Sequence, residues 1–397
     1  MKKIIVIFTL ILLSFVPSYA IQEDTRPVEL KDVILQSEVE KVQETPKVQD
    51  IEIPHEKTFS EKVHDILTAE VEKTDTPYHL LSDIATLHLK KGPVESLHLW
   101  GAYQGQLGIH LQHNEGGYTD WTEGSVNVGI DGKFRSGKED FRLMVNLQPQ
   151  HGRNFWQNLP ADMYIATNRI PHHRIMFGNS RPPVGVEGGQ SPYTLPFIYR
   201  SQISRTYGTV RKFGVRVQGN YDLIEYDLGG YSSDTYFRKF FPGVEFTGWV
   251  NLKPLGKTDG RYGKLKLGGG INGGQYGSGE FFVAGAYADY EYKKFFINFE
   301  WAQADGSNGV AGYTNKQTGG FYSTIGYRIS PKIELLARYD QFDPDRNMGH
   351  NMIREYTAGI NYYVKGQGLK LIFNYIFCQN QGANDSHRFM IGTQVLL

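Results

Sequence analysis

After residue 96 the sequence alternates between apolar residues and polar or small ones, and this alternation limits the possible folds more than any other feature. Two stretches, 353–364 and 369–378, show it most clearly. Side chains of a strand point alternately to its two faces, so each stretch is a strand with one apolar face and one mixed face. Segments of roughly ten residues with this pattern are typical of β-barrels that cross a membrane.

The composition points the same way. The chain is 13% aromatic and contains 45 glycines, and its apolar runs after residue 20 are only a few residues long, whereas a spanning helix needs about 20 apolar residues. Without such helices a chain can cross the hydrocarbon only as a closed barrel, which satisfies every backbone donor and acceptor internally. The predicted fold is therefore an all-β transmembrane antiparallel β-barrel.

Sixteen alternating segments can be counted, and the gaps between them are long and short in turn. The gap 273–280 is predicted as one of the long loops, and 253–261 is a long exception among the short turns. Alternation of this kind predicts long external loops and short periplasmic turns, and an even strand number places both chain ends on the periplasmic rim. The segments begin near residues 97, 122, 139, 161, 173, 208, 222, 243, 262, 281, 294, 319, 332, 353, 368 and 387.

The first twenty residues form a signal peptide by their pattern. Lys2 and Lys3 precede an apolar run over 4–16, and Ser18 and Ala20 supply the small residues of a cleavage site. This run is too short to span a bilayer as a helix. The sequence therefore predicts export, with residues 1–20 as signal peptide.

Residues 21–93 form an acidic arm, with 16 acidic and 9 basic residues, whereas 94–397 has 31 basic and 26 acidic ones. The part 21–57 has neither glycine nor aromatic residues, so it cannot build a core. Helical spacing of apolar residues predicts short helices over 58–73 and 78–89. Two interpretations of this partly helical periplasmic arm stay open, a spacer or oligomerisation arm and a disordered tether.

The last alternating segment runs to the end of the sequence, where Phe389, Ile391, Thr393, Val395 and Leu397 share one face. It resembles the terminal signal that the barrel-assembly machinery recognises, although such signals usually end in Phe. We therefore expect that machinery and outer-membrane lipid as partners.

The longest gap, 179–207, is predicted to fold into the lumen and narrow the pore, because its apolar side chains need to be covered. The alternative is a surface loop with solvated arginines. If the loop folds inward, Arg181, Arg200 and Arg205 face the passage. The candidate constriction residues are Arg181, Glu187, Tyr193, Tyr199, Arg200 and Arg205.

Strand parity assigns charged residues of both signs to the lumen, with a small basic excess. We expect many of them to pair across strands, and no dense ladder of arginines is evident. The basic candidates are Arg142, Arg174, Arg216, Lys264, Lys266, Arg328, Arg338, Lys370 and Arg388, with Lys133, Arg135 and Lys212. The acidic ones are Asp131, Glu225, Asp227, Glu245, Asp289, Glu291, Glu300, Glu334, Asp340 and Glu355.

Three stretches resemble the phosphate-selective porin O and P family. They are 178–201, with its Gly-x-x-x-Pro-Pro-x-Gly-x-Glu core, 337–345 and 357–363, and the likeness spans about 96–397. The resemblance implies a sixteen-stranded, trimeric outer-membrane porin that favours anions, phosphate in its best-known members.

The function we expect is passive diffusion of small anionic or neutral hydrophilic solutes, and the alternative is a closed barrel with a structural or adhesion role. An enzyme on a barrel would need a Ser, His or Asp cluster at the outer rim, which the sequence does not show. The GxGxxG pattern at 268–273 precedes no helix and indicates close strand packing. His172-His173 and the single Cys378 are expected to be a solvated pair and an inert thiol, and we expect no metal, cofactor or nucleic acid.

Overall fold

The computed structural model describes residues 85–112, 116–148, 159–234, 241–309 and 315–397. The predicted signal peptide, the linker 21–57 and the helix 58–73 lie outside the described residues. The helix predicted over 78–89 is wrong at its end, because Thr86–His88 is a short strand, β1, paired with the start of the next strand.

Sixteen longer strands follow β1. Every one corresponds to one of the sixteen alternating segments. They are β2 (Val94–Gln112), β3 (Tyr118–Phe134), β4 (Glu139–Asn146), β5 (Pro160–Thr167), β6 (His173–Ser180), β7 (Lys212–Asn220), β8 (Ile224–Ser232), β9 (Val244–Leu252), β10 (Lys264–Tyr276), β11 (Gly279–Tyr292), β12 (Phe295–Asp305), β13 (Gln317–Ser330), β14 (Ile333–Asp343), β15 (Ile353–Lys365), β16 (Leu369–Asn380) and β17 (Ser386–Leu396).

These sixteen strands form a closed antiparallel barrel. Each pairs with its two sequence neighbours, and β17 returns to β2 in a register that runs from Ser386 opposite Gln112 to Leu396 opposite Ala102. No strand of the ring is left with an unpaired edge, which is the requirement for crossing hydrocarbon. The predicted sixteen-stranded antiparallel β-barrel is confirmed.

The apolar residues lie on the outside of the barrel. On β15 the residues Glu355, Thr357 and Asn361 are buried, while Tyr356 and Ile360 between them are 43% and 47% exposed. This is the reverse of a soluble protein, and an apolar outer surface of this extent needs a partner. An apolar band on the outer surface is typical of transmembrane β-barrels. Within the described part of the chain, no helix is long and apolar enough to cross a membrane.

One predicted long loop is wrong. The gap 273–280 is largely strand, because β10 continues to Tyr276 and β11 starts at Gly279, which pairs with it. The connection consists of Gly277 and Ser278 alone, and Gly277 has a φ of 62°, which suits a tight hairpin turn. The one long connection predicted among the short turns, between β9 and β10, is present and covers residues 253–263.

The glycines at 268–273 lie in β10, where they make room for an aromatic side chain. A Cβ added at Gly270 would lie 2.3 Å from Cε3 of Trp249, whose ring is buried on the lumen side of the barrel wall. The expected close strand packing is therefore confirmed.

Gly270→Ala should consequently destabilise the barrel. Overpacking against a rigid ring costs about 1–3 kcal/mol. Urea unfolding in lipid vesicles measures the loss of stability. The control is Gly277→Ala at the solvent-exposed turn, where an added Cβ would meet nothing within 4 Å but φ is positive. Comparison of the two variants separates the steric cost from the conformational cost. An unchanged midpoint for Gly270→Ala would contradict the packing role.

Candidate functional site: the loop across the lumen

A 31-residue loop, 181–211, connects β6 to β7 and contains three short helical turns. These are α1 (Val186–Gly189), a 3-10 turn (Pro192–Thr194) and α2 (Gln202–Tyr207). The side chain of Ser201 caps α2 by accepting a hydrogen bond from the Ser204 amide. The loop is longer than the predicted 179–207 because β7 begins at Lys212.

The loop crosses the barrel and docks on the opposite wall. β6 and β7 lie half-way around the ring from β14 and β15. Asp340 of β14 accepts from the Gln202 amide at 2.7 Å, and Arg338 donates to the Tyr199 carbonyl at 2.9 Å. Arg338 also forms an ion pair with Glu187 at 3.3 Å. The loop therefore lies inside the lumen, and the predicted inward fold is present in the structure.

Polar side chains of the wall satisfy the backbone of the loop at one strand after another. Backbone groups buried away from water need such partners. The wall residues belong to four adjacent strands, β2, β17, β16 and β15. The pairs are Gln104 with the Pro192 carbonyl (3.1 Å), Gln394 with the Tyr193 carbonyl (3.0 Å), Lys370 with the Leu195 carbonyl (3.1 Å), Asn361 with the Pro196 carbonyl (2.9 Å) and Asn374 with the Ile198 amide (2.9 Å).

Glu300 of β12 binds the start of α1. Its two carboxylate oxygens accept from the amides of Val186 (2.9 Å) and Glu187 (3.2 Å), and the Tyr322 hydroxyl donates to one of them at 2.8 Å. Gly185 has a φ of 74°, and a Cβ there would lie 2.3 Å from the Glu300 carboxylate. A glycine is therefore required where the loop meets this carboxylate.

Apolar packing holds the same interface. Phe197 packs with Phe296 and Leu336 of the wall, and the Arg338 guanidinium lies 4.6 Å from the centroid of its ring. A second cluster joins Val184, Ile203 and Tyr207 of the loop to Val283, Ala302, Ala304, Tyr322 and Phe342. The hydroxyl of Tyr193 reaches Ser125 (3.1 Å) and Asn127 (2.5 Å) of β3.

The three loop arginines predicted to face the passage differ in their surroundings. Arg200 is buried and donates to the carbonyls of Glu187 and Gln190, so it braces the loop and does not face an open passage. Arg205 donates to both oxygens of Glu355 at 2.9 and 2.8 Å. Burial lowers the pKa of Arg205, but the Glu355 and Asp340 carboxylates together raise it by more, so the net shift is upward.

Arg181 has no carboxylate within ion-pair distance in the described part of the chain. It donates to the carbonyls of Thr209 (3.3 Å) and Gln190 (2.5 Å). Tyr199, the remaining candidate of the loop, lies beside Arg388, whose guanidinium is 5.7 Å from its ring centroid. Burial raises the pKa of Tyr199.

The basic residues predicted to line the lumen mostly pair with carboxylates, as expected. Lys370 instead bonds a loop carbonyl, and Lys264 is exposed near the short-turn rim. The pairs are Arg142–Asp131 (2.7 Å), Arg174–Asp140 (2.6 Å), Arg216–Asp227 (2.8 Å from Nε), Lys266–Glu225 (2.9 Å), Arg328–Glu334 (3.1 Å) and Arg388–Glu355 (2.5 Å).

One ion pair escaped the sequence analysis. Arg211 donates to Asp162 of β5 at 2.6 Å. The predicted strand began near 208 and placed Arg211 on its outer face, whereas the chain is still loop there. Among the described residues, no group of three or more His, Cys, Asp or Glu side chains could hold a metal ion.

A closed barrel with an apolar outside, a polar lumen and a long loop folded across that lumen is the architecture of an outer-membrane porin. The model of the phosphate-selective porin O and P family matches residues 267–396, the stretch from β10 to β17. The predicted resemblance is therefore confirmed over this part of the chain, which contains the motifs at 337–345 and 357–363. The motif at 178–201 lies outside the matched residues. No curated protein matches the sequence.

Solved channels share the fold. The outer membrane channel DcaP of Acinetobacter baumannii superposes with a TM-score of 0.56 at 11% identity, over 79% of this chain and 100% of that chain. An anion-selective porin from Comamonas acidovorans gives 0.55 at 11% identity, over 76% and 99%. The trimer form of OmpT from Vibrio cholerae gives 0.52 at 12% identity, over 76% and 99%. At these identities the likeness concerns the fold.

Proposed function

We propose that this porin passes small hydrophilic solutes by diffusion and favours anions such as phosphate. The observation that carries the proposal is the charge of the loop that crosses the lumen. Residues 181–211 contain four arginines and one carboxylate, Glu187. Basic groups at a narrow part of a pore favour anions.

Carboxylates of the barrel wall weaken this preference for anions but do not abolish it. Arg205 and Arg211 are neutralised by Glu355 and Asp162 of the barrel. The Arg181 side chain donates to two carbonyl groups and forms no ion pair with a described carboxylate, so its positive charge is less compensated than those of Arg205 and Arg211. A modest anion preference is therefore more consistent with the side chains than a steep one.

The assembly proposed is a homotrimer in the outer membrane, with the acidic arm in the periplasm. The support is indirect, since OmpT of Vibrio cholerae has a trimer form and an even strand number puts both ends of the barrel on the short-turn rim. The alternative is a closed barrel with a structural or adhesion role, and it is supported by the many contacts that hold the loop across the lumen.

The reversal potential in a planar bilayer under a KCl gradient tests the function. Conductance steps with anion preference that phosphate blocks support the proposal in full. Steps with cation preference would keep the porin and remove the anion assignment. Folded protein, recognised by heat-modifiable migration on gels, that produces no steps would favour the closed barrel.

Arg181→Ala should shift the pore toward cations. One unit charge about 4 Å from an ion in water contributes about 1 kcal/mol, with opposite sign for chloride and potassium, so the ratio of chloride to potassium permeability should fall by about fivefold or more. The matched control is Arg261→Ala, at an exposed arginine of the β9–β10 connection. Equal effects of the two variants on the reversal potential would rule out Arg181 as a constriction residue.

A further inference from the structure

The ion pairs of the lumen fall into two groups by exposure. On the wall formed by β3 to β8, both partners of several pairs stay accessible, as in Arg142–Asp131 at 33% and 31% and Arg211–Asp162 at 21% and 23%, whereas Lys212 of β7 is buried with Glu245 of β9. On the wall where the loop docks, the carboxylates are covered, as in Arg328–Glu334, where Glu334 is 4% exposed. Among the described ion pairs, the carboxylates that a solute can reach therefore lie mainly on the first wall.

The free volume lies along the same wall. A cavity of about 670 Å³ extends from the short-turn rim to the underside of the loop. The barrel lines it with Arg174, Arg216 and Asp227, among others, and the loop with Gly185 and Gln190. A solute that leaves the loop on this side enters the cavity directly.

Asp162 lies where this wall meets the two ends of the loop, among several guanidinium groups. Arg211 donates to it from Nε at 2.6 Å. Arg216 donates to the backbone carbonyl of Arg181 at 2.9 Å, which holds these two residues together. The charges of Arg142, Arg181 and Arg216 also act on the Asp162 carboxylate.

We propose that Asp162 determines the anion affinity of the pore, because its carboxylate occupies an arginine cluster that would otherwise bind a permeating anion. The cluster consists of Arg211 and Arg181, together with Arg142 and Arg216, which keep their own carboxylates, Asp131 and Asp227. A carboxylate and a phosphate accept the same charge-assisted hydrogen bonds from guanidinium groups, so the fixed carboxylate competes with the mobile anion. The inference rests on the proposed function, since it concerns the selectivity of a conducting pore.

Asp162→Asn tests it, because the amide keeps the size of the side chain and removes its charge. We expect the ratio of chloride to potassium permeability to rise by about fivefold or more, because one unit charge about 4 Å from an ion in water changes the permeability of each ion by about that factor, in opposite directions. Inorganic phosphate should block the chloride current at a correspondingly lower concentration. The matched control is Glu334→Gln, at a cross-strand Arg–carboxylate pair on the docked wall, which should leave both quantities unchanged.

Arg211→Gln provides a second, opposite test, and it remains informative if Asp162→Asn does not fold. It leaves the Asp162 carboxylate with one cation fewer, so selectivity should move toward cations. The proposal is overturned if folded, conducting Asp162→Asn keeps the selectivity and phosphate block of the unaltered protein, or if Arg211→Gln moves selectivity toward anions. A lack of conductance in the unaltered protein would instead refute the proposed function.

Discussion

Replacing Glu187 by alanine is expected to raise the single-channel conductance severalfold, because this carboxylate fastens the loop to the wall. One of its oxygens pairs with Arg338 at 3.3 Å, and the other accepts from the Ser201 amide at 2.7 Å. The Arg338 side chain is only 1% exposed. Removing one partner of a buried ion pair leaves the other charge uncompensated and costs about 3–5 kcal/mol.

That cost is comparable with the contribution of several of the remaining loop contacts together. A hydrogen bond between loop and wall contributes about 0.5–1.5 kcal/mol net. With Arg338 unpaired, water entering beside it stabilises the charge, and the loop end from α1 to α2 should leave the wall. The lumen then widens, and the current should also become noisier as the loop moves.

Single-channel recording in planar bilayers measures both effects. Glu187→Gln is an informative intermediate, since its carbonyl oxygen can still accept from the Ser201 amide while the charge is lost. Glu139→Ala, which removes a half-buried carboxylate at the start of β4 paired with the exposed Arg169, serves as the control and should leave the conductance unchanged. A Glu187→Ala barrel that folds and conducts like the unaltered protein would show that the loop does not depend on this pair.

The barrel could be predicted from the sequence because its determinants are local. Alternation over about ten residues defines a strand, and each strand pairs with its neighbour in the chain, so order and closure follow from counting. The prediction failed where glycines replaced apolar residues. Gly273 and Gly274 weaken the alternation, so the end of β10 was taken for a loop although it pairs with β11.

The sequence predicted that the loop folds inward, but not which wall residues it contacts. Its apolar residues indicated that something covers them, but the partners that fix its path, such as Asp340 for Gln202 and Gln394 for Tyr193, lie about 140 to 200 residues away. For the same reason, Arg200 and Arg181 looked equivalent in the sequence, whereas one is buried within the loop and the other is not.

The sequence contained enough information to place Asp162 in the lumen, but Asp162 was not among the predicted lumen residues. Ile165 is 46% exposed on the outer face of β5, and strand parity therefore directs Asp162 and Tyr164 to the lumen. Its partner Arg211 could not be found in this way, because Arg211 belongs to no strand and parity has no meaning there. At a site formed where strands meet a loop, the strand residues can thus be predicted from parity, whereas the loop residues cannot.

Arginine in place of Ile360 should destabilise the barrel by about 2–4 kcal/mol, the cost of a lipid-facing arginine at the middle of the bilayer. Ile360 is 47% exposed on β15 and lies opposite Leu335 and Phe373 of the adjoining strands. Aromatic residues on the outer face of the same strand, Tyr356 and Tyr362, lie on either side of it. Aromatic girdles mark the two interfaces of a membrane barrel, so this arrangement places Ile360 between them.

The girdle toward the long loops continues across neighbouring strands. Ring centroids lie 5.8 Å apart between Phe299 and Phe321, 5.7 Å between Phe321 and Tyr339, and 5.2 Å between Tyr339 and Tyr356. Such a row is expected at a fixed depth in the membrane, where rings contact both headgroups and acyl chains. It therefore supplies a reference depth against which substitutions can be compared.

Tyr362→Arg is the matched control, on the same face of the same strand but nearer the short-turn rim. There an arginine should cost less than at Ile360, because its guanidinium lies nearer to water and headgroups. Urea unfolding in lipid vesicles gives both free energies, and the difference between them is the quantity that matters. Equal costs at the two positions would mean that the outer face of β15 does not cross a bilayer in the register described, whereas a large cost confined to Ile360 fixes the middle of the membrane on the barrel.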